Sequence, residues 1–203
     1  MFLSEAAHYL RERLLTVRIL LLWLLLLAAI VLSSAERVVL LPGLAITSAL
    51  FVLSFRLWDD LADLGYDRLH RPERSLLRST DIRFFHAAQW FLIVVLTGLL
   101  LATTSHGQVV VFLCLVVFMW VMYRVTPNRP QLRPVRVGLV LAKYPALVML
   151  LALEPGTLRA LFAALGIYLL LVLYEIRSTG MAILMPSSVI AGFMLLAQWV
   201  LIP

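Results

Sequence analysis

The chain has 203 residues, of which 63% are hydrophobic and 14% are charged, and its formal net charge is +6. A soluble domain must cover its core with polar side chains, so a mean hydropathy of +1.01 excludes that class and indicates a lipid bilayer as the solvent. The single cysteine, Cys114, excludes a disulfide and a cysteine-based metal site within the chain.

The opening segment, residues 1–17, is polar and amphipathic. In its stretch SEAAHYLRERLLTVR, the residues Ala6, Leu10 and Leu14 fall on one face of a helix. We therefore predict a helix that lies in the membrane interface and leads into the first span. We do not expect a signal peptide, because no small-residue cleavage site flanks the first apolar run convincingly.

Seven apolar runs follow, and an α-helix needs roughly 20 mostly apolar residues to cross the hydrocarbon core. In chain order they are centred on ILLLWLLLLAAIVL, VVLLPGLAITSALFVLSF, FFHAAQWFLIVVLTGLLLA, VVVFLCLVVFMWVMY, VGLVLAKYPALVMLLAL, LRALFAALGIYLLLVLY and MAILMPSSVIAGFMLLAQWVLI. Strands of a membrane barrel would instead alternate apolar and polar residues over about half that length. The prediction is an all-α, polytopic membrane helical bundle of about seven transmembrane helices, forming a single domain over residues 1–203.

The basic residues predict the orientation of this bundle. The predicted connections divide Lys and Arg 14 to 2 between the two sides of the membrane, with Lys143 left inside a span. Because cytoplasmic connections carry the excess of Lys and Arg, we expect a bacterial inner-membrane protein whose N-terminus and long second connection are cytoplasmic. The net positive charge is then a consequence of topology, and no nucleic acid is expected as a partner.

An acidic stretch, RLWDDLADLGYDRLHRPERSLLRS (residues 56–79), follows the second apolar run. Asp60, Asp63 and Asp67 are spaced i, i+3, i+7, which places them on one face of a helix that continues the second span. Asp59 lies next to this face, because Asp63 follows it by four residues, about one helical turn. Like charges at these spacings destabilise an isolated helix, so either arginines neutralise them or a cation is bound there.

Two interpretations remain open from the spacing alone. In the first, Asp67 pairs with Arg71 at i, i+4 and the other charges of the loop face water. In the second, the carboxylates hold Mg²⁺, which takes one or two carboxylates together with substrate phosphates, and the adjoining arginines hold a diphosphate.

The sequence DDLADLGYDRLHRPERSL resembles the first aspartate-rich motif of the UbiA superfamily of intramembrane prenyltransferases. That motif reads Asn/Asp-Asp-x-x-Asp-x-x-x-Asp and continues toward an Arg-Pro-x-Arg-Pro-like tail. The matching residues are Asp59 at the Asn/Asp position, Asp60, Asp63 and Asp67 at the acidic positions, and Arg71, Pro72 and Arg74 in the tail, with Ser75 where the family usually has proline. The resemblance implies a UbiA-like fold, catalytic roles for Asp60, Asp63 and Asp67, and Mg²⁺ as cofactor, held by these three residues and Asp59.

The resemblance also implies diphosphate-binding basic residues. They are Arg71 and Arg74 in the tail, Arg136 in the basic connection YRVTPNRPQLRPVR, Lys143 in the fifth run, and Arg177 after the sixth. For Lys143 an alternative stays open, in which its ammonium reaches the cytoplasmic interface by snorkelling.

The second acidic motif of the family departs from its usual form. The stretch YEIRSTG matches the tail of that motif, but its acidic pair is reduced to Glu175, which we expect to be catalytic. The family typically has nine transmembrane helices, whereas seven are predicted in this chain.

The expected activity is therefore Mg²⁺-dependent transfer of a prenyl group from an isoprenyl diphosphate to an unidentified acceptor, and membrane lipid is expected as a further partner. The alternative is a non-catalytic UbiA-like subunit that binds lipid or diphosphate, or a scaffold with a partner in a membrane complex.

Overall fold

The structure is a computed structural model that describes residues 2–33, 41–79, 81–126, 133–152, 157–179 and residue 192. The described residues are almost entirely helical and contain no strand, which confirms the predicted all-α class. The helices in these ranges are α1 (Phe2–Tyr9), α2 (Val17–Leu32), α3 (Leu41–Ala62), α4 (Leu64–His70), α5 (Ser75–Arg78), α6 (Ile82–Thr103), α7 (His106–Val125), α8 (Arg133–Leu141), α9 (Lys143–Leu151) and α10 (Leu158–Thr179). A π-helical turn, Leu10–Leu14, follows α1.

Within the described residues, four helices are long and apolar enough to cross a membrane, so the chain is an integral membrane protein. They are Ile82–Thr103, His106–Val125, Pro134–Leu151 and Leu158–Ser178. These four coincide with the third to sixth predicted runs, which are confirmed as candidate spans.

The other three predicted spans have different outcomes. The first run lies in α2, whose 16 residues qualify only if Val17–Leu32 and Glu5–Arg13 count as one span across a bend of 69°. The second run begins outside the described residues and continues into Leu41–Ala62, which is not among the qualifying helices. The seventh run lies outside the described residues except for Gly192. The described part therefore contains four or five candidate spans, and the count of about seven stays a prediction.

The centre of the bundle is the helix Pro134–Leu151, in which α8 and α9 join at Ala142. Of this span 72% is buried, against 28–39% for the other three. It packs against α10, α2, α7 and α3. Because this helix is surrounded by protein, a polar residue on it faces other side chains and is shielded from lipid.

Local capping interactions position the two helices beside the centre. Asp81 begins α6 by accepting hydrogen bonds from the backbone N–H groups of Arg83 and Phe84. Ser105 begins α7 through a capping box with Gln108. The Gln108 side chain also donates to the Leu150 carbonyl at 2.8 Å, which ties the start of α7 to the end of α9.

The predicted orientation can be tested by cysteine labelling after Cys114→Ala removes the native thiol. Glu73, within the acidic stretch, and His106, at the start of α7, are both exposed. We expect Glu73→Cys to be protected from an impermeant thiol reagent in intact cells, and His106→Cys to react. Labelling of position 73 from outside would overturn the orientation.

Candidate functional site

The charged end of α3 and the short helix α4 carry a group of ion pairs, here named the ion-pair cluster. Its members are Asp59, Asp60, Asp63 and Asp67 with their cationic partners Arg13, Arg56, Arg74, Arg136 and Lys143. The cations come from four separate parts of the chain, so the tertiary fold assembles the cluster.

Asp59 is bound to the central helix of the bundle. The Lys143 ammonium donates to its two carboxylate oxygens at 2.6 and 2.5 Å, and the Tyr123 hydroxyl donates to Oδ1. Lys143 has 0% exposed surface, because it begins the second half of the buried helix Pro134–Leu151. The snorkelling alternative for Lys143 is therefore wrong, while its role in diphosphate binding stays a prediction.

Asp60 is bound by the N-terminal segment. Arg13 donates from Nε at 3.0 Å and from Nη2 at 2.5 Å, one bond to each carboxylate oxygen. The Tyr9 hydroxyl adds a third hydrogen bond at 3.0 Å, and Arg56, one turn earlier on α3, lies at 3.3 Å. The segment predicted to lie in the membrane interface thus also reaches into the acidic stretch.

Asp63 and Asp67 have separate arginine partners. Arg136, which is 5% exposed, donates to Asp63 at 2.6 Å and to the Thr126 carbonyl at 3.3 Å. Asp67 is 3% exposed and pairs with Arg74. The interpretation in which Asp67 pairs with Arg71 in a solvated loop is therefore wrong.

The helix end explains why Arg74 replaces Arg71 as the partner of Asp67. An i, i+4 pair needs a helix that continues through both residues, but α4 ends at His70. Pro72 disfavours the α conformation of the residue before it, and Arg71 accordingly has φ −148° and ψ 60°. The chain then turns and brings Arg74 back to Asp67.

Three predicted site residues are not members of the ion-pair cluster. Arg71 and Arg177 are exposed, at the ends of α4 and α10. Glu175 lies on α10, and the Ser178 hydroxyl donates to its carboxylate at 3.0 Å. Their roles in diphosphate binding and catalysis stay predictions.

Sequence reasoning missed four side chains around the cluster: Tyr9, Arg13, Arg56 and Tyr123. The ion pair between Arg56 and Asp60 could have been predicted, because the two residues are spaced i, i+4 on one helix. Arg13 lies 47 residues from Asp60, and Tyr123 lies 64 residues from Asp59, so no local pattern relates them.

The charge balance of the cluster favours an anion. Among the described residues, the ion pairs of the cluster join five cations to four carboxylates, an excess of one positive charge in a group of which several members are buried. Arginines bind carboxylate and phosphate with the same bidentate geometry, which makes a phosphate-containing anion one chemical class that this cluster suits.

The same residues suit Mg²⁺ in their chemistry but not in their present arrangement. Carboxylate oxygens are the ligands this ion takes. However, the described residues include no group of three or more His, Cys, Asp or Glu side chains that could hold a metal ion. As placed here, each aspartate is directed at its own cation, and metal binding would require at least one of these partners to be displaced.

An aromatic cavity of about 250 Å³ adjoins the cluster between α3, α6 and α7. Its walls include Trp58, Trp90, Trp120 and Tyr123. The Trp58 ring centroid lies 6.3 Å from that of Trp90 and 5.9 Å from that of Tyr123. Tyr123 therefore belongs to both environments, since its ring forms part of the cavity wall while its hydroxyl binds Asp59.

Comparison with protein-family models, with curated proteins and with solved structures returned no match to this chain.

Proposed function

We propose that the chain is a membrane prenyltransferase that moves a prenyl group from an isoprenyl diphosphate to an acceptor held in the bilayer. The observation that carries this proposal is that Tyr123 contacts two environments. Its hydroxyl binds Asp59 in the ion-pair cluster, and its ring lines the aromatic cavity. An isoprenyl diphosphate has the same two parts, an anionic head and an apolar chain.

The ion-pair cluster would take the head of the donor. Breaking the bond between the allylic carbon and the diphosphate oxygen leaves the electron pair on the departing diphosphate. Arg74, Arg136 and Lys143 would stabilise that negative charge, as fixed cations do in a site with little water. The resemblance of the acidic stretch to the first UbiA motif supports the same assignment.

The cavity would take the reacting end of the prenyl chain. Loss of diphosphate leaves a carbocation, and the faces of aromatic rings attract a cation, with tryptophan the strongest. Trp58 and Tyr123, which line the cavity with ring centroids 5.9 Å apart, would supply this attraction. The acceptor then supplies an electron pair to the carbocation and releases a proton, which completes the transfer.

Magnesium remains part of the proposal as the cofactor that would neutralise diphosphate charge when bound. Its binding would require the aspartates to exchange arginine or lysine for metal. The cations so freed would be available to the diphosphate.

One observation favours the second candidate, a non-catalytic subunit that binds lipid or diphosphate, or a scaffold of a membrane complex. Every aspartate of the acidic stretch already has a cationic partner, as in a site built for structure.

A transfer assay separates the two candidates. Purified protein in lipid nanodiscs is incubated with labelled farnesyl diphosphate and a lipid extract of its native membrane, with and without Mg²⁺. We expect label to move into the lipid and inorganic diphosphate to be released, in the presence of Mg²⁺ only. Binding of farnesyl diphosphate without any release would instead identify a non-catalytic subunit.

A further inference from the structure

The N-terminal segment, residues 2–14, closes the acidic site by a small number of specific contacts. Tyr9 and Arg13 together place three hydrogen bonds on Asp60. Beside them, the Ser79 hydroxyl donates to Glu5 at 2.7 Å. The Tyr9 ring meets Phe85 edge to face, with centroids 5.4 Å apart.

This closure depends on a hydrophobic contact of its own. Tyr9 packs with Leu57, Leu61, Leu76 and Phe85 in a small buried cluster that is separate from the main core of the bundle. Detaching the segment would therefore open this small cluster and leave the packing of the central helix in place.

The connection to α2 has the features of a hinge. Thr16 caps α2 by itself, because its hydroxyl accepts a hydrogen bond from the Ile19 N–H, so α2 does not need the segment in order to begin. The preceding turn, Leu10–Leu14, is π-helical, a rare conformation that is frequent at functional sites. The direction of the chain changes by 69° between Glu5–Arg13 and Val17–Leu32.

We propose that the N-terminal segment is an autoinhibitory latch on Asp60. In the docked state, Arg13 and Tyr9 occupy the carboxylate oxygens that a metal–diphosphate ligand would need. The ligand binds after the segment has swung away about the hinge, so its apparent affinity is lowered by the fraction of molecules that are docked. This inference rests on the proposed function for the identity of the ligand.

The latch can be held closed by a reversible cross-link. The double variant Glu5→Cys/Ser79→Cys, with Cys114→Ala, places two thiols at the contact between the segment and the end of α5. A short bis-methanethiosulfonate reagent joins them, and dithiothreitol releases them. With Mg²⁺ and inorganic diphosphate as the probe, we expect at least about tenfold weaker binding in the cross-linked protein, with full recovery after reduction.

The latch can also be weakened by Arg13→Gln. This variant removes two of the three hydrogen bonds to Asp60 and leaves Arg56 as a neighbouring cation. We expect binding of Mg²⁺ and diphosphate to become about tenfold tighter. Arg11→Gln is the matched control, because Arg11 is exposed on the same segment and its substitution changes the net charge equally.

The outcomes distinguish the latch from the proposed function. Weaker binding in Arg13→Gln, or binding that ignores the cross-link, would overturn the latch alone. Absence of diphosphate binding in the reduced protein and in Arg13→Gln would overturn both. If the cross-link and Arg13→Gln change diphosphate binding as expected but the protein shows no prenyl transfer, the latch is supported and the proposed enzyme activity is contradicted.

Discussion

Asp59→Asn should lower the free energy of unfolding by about 3–5 kcal/mol, the usual cost of removing one partner from a buried ion pair. Lys143 is fully buried, and both of its hydrogen bonds to Asp59 are made with a charged carboxylate. Without that carboxylate the ammonium loses the ion pair that compensates its charge in a region of low dielectric. Thermal or denaturant unfolding of the purified protein in detergent measures the change.

A second substitution tests the reason for this loss. Asp59→Asn/Lys143→Met removes both charges, keeps an oxygen for the Tyr123 hydroxyl, and should recover most of the lost stability. Asp81→Asn is the matched control, since asparagine caps a helix as well as aspartate does, and we expect little change. Equal destabilisation of the single and the double variant would contradict the ion-pair explanation.

Asp63→Asn should reduce prenyl transfer by roughly a hundred- to a thousandfold, which corresponds to a lost catalytic interaction of about 2.7–4 kcal/mol. The Asp63 side chain is 31% exposed, and asparagine keeps an oxygen that can accept the hydrogen bond from Arg136, so the substitution should be tolerated structurally. A loss of rate with unchanged unfolding would therefore report on the site. The rate is measured with labelled farnesyl diphosphate in nanodiscs.

Glu175→Gln tests the remnant of the second acidic motif in the same assay. On the enzyme hypothesis it should abolish transfer to a similar degree, because Glu175 is the only acidic residue left in that motif. Glu73→Gln, at the exposed unspecified position in the Arg-Pro-x-Arg tail of the first motif, is the matched control and should stay active. Full activity of Glu175→Gln would remove this residue from the catalytic site.

The parts of the fold that depend on local pattern could be predicted from the sequence. The four spans from Ile82 to Ser178 follow from apolar runs whose length matches the bilayer, and the structure has them as helices. The spacing of the aspartates likewise indicated a charged face at the end of α3 that needs cations. Apart from Arg56, the basic residues that supply those cations could not be predicted from this spacing.

Two contacts show why the partners could not be read from spacing. The pairing of Asp67 with Arg71 assumed a continuous helix, but α4 stops before Pro72 and the chain turns to bring Arg74 to the carboxylate. The bond from Arg13 to Asp60 depends on the N-terminal segment folding back onto α3. Such a long-range contact depends on how whole helices pack, and the sequence pattern of either segment alone does not indicate it.

The most direct test of the ion-pair cluster as a metal–diphosphate site is the protection of the purified protein by inorganic diphosphate with and without Mg²⁺. We predict stabilisation by about 2.7 kcal/mol at a hundredfold excess over Kd when both are present, because a ligand that binds only the folded state stabilises it by mass action. Neither component alone should protect to this extent, and Asp63→Asn should lose the effect. Equal protection by diphosphate with and without metal would indicate a plain anion site, and no protection under either condition would contradict the central claim.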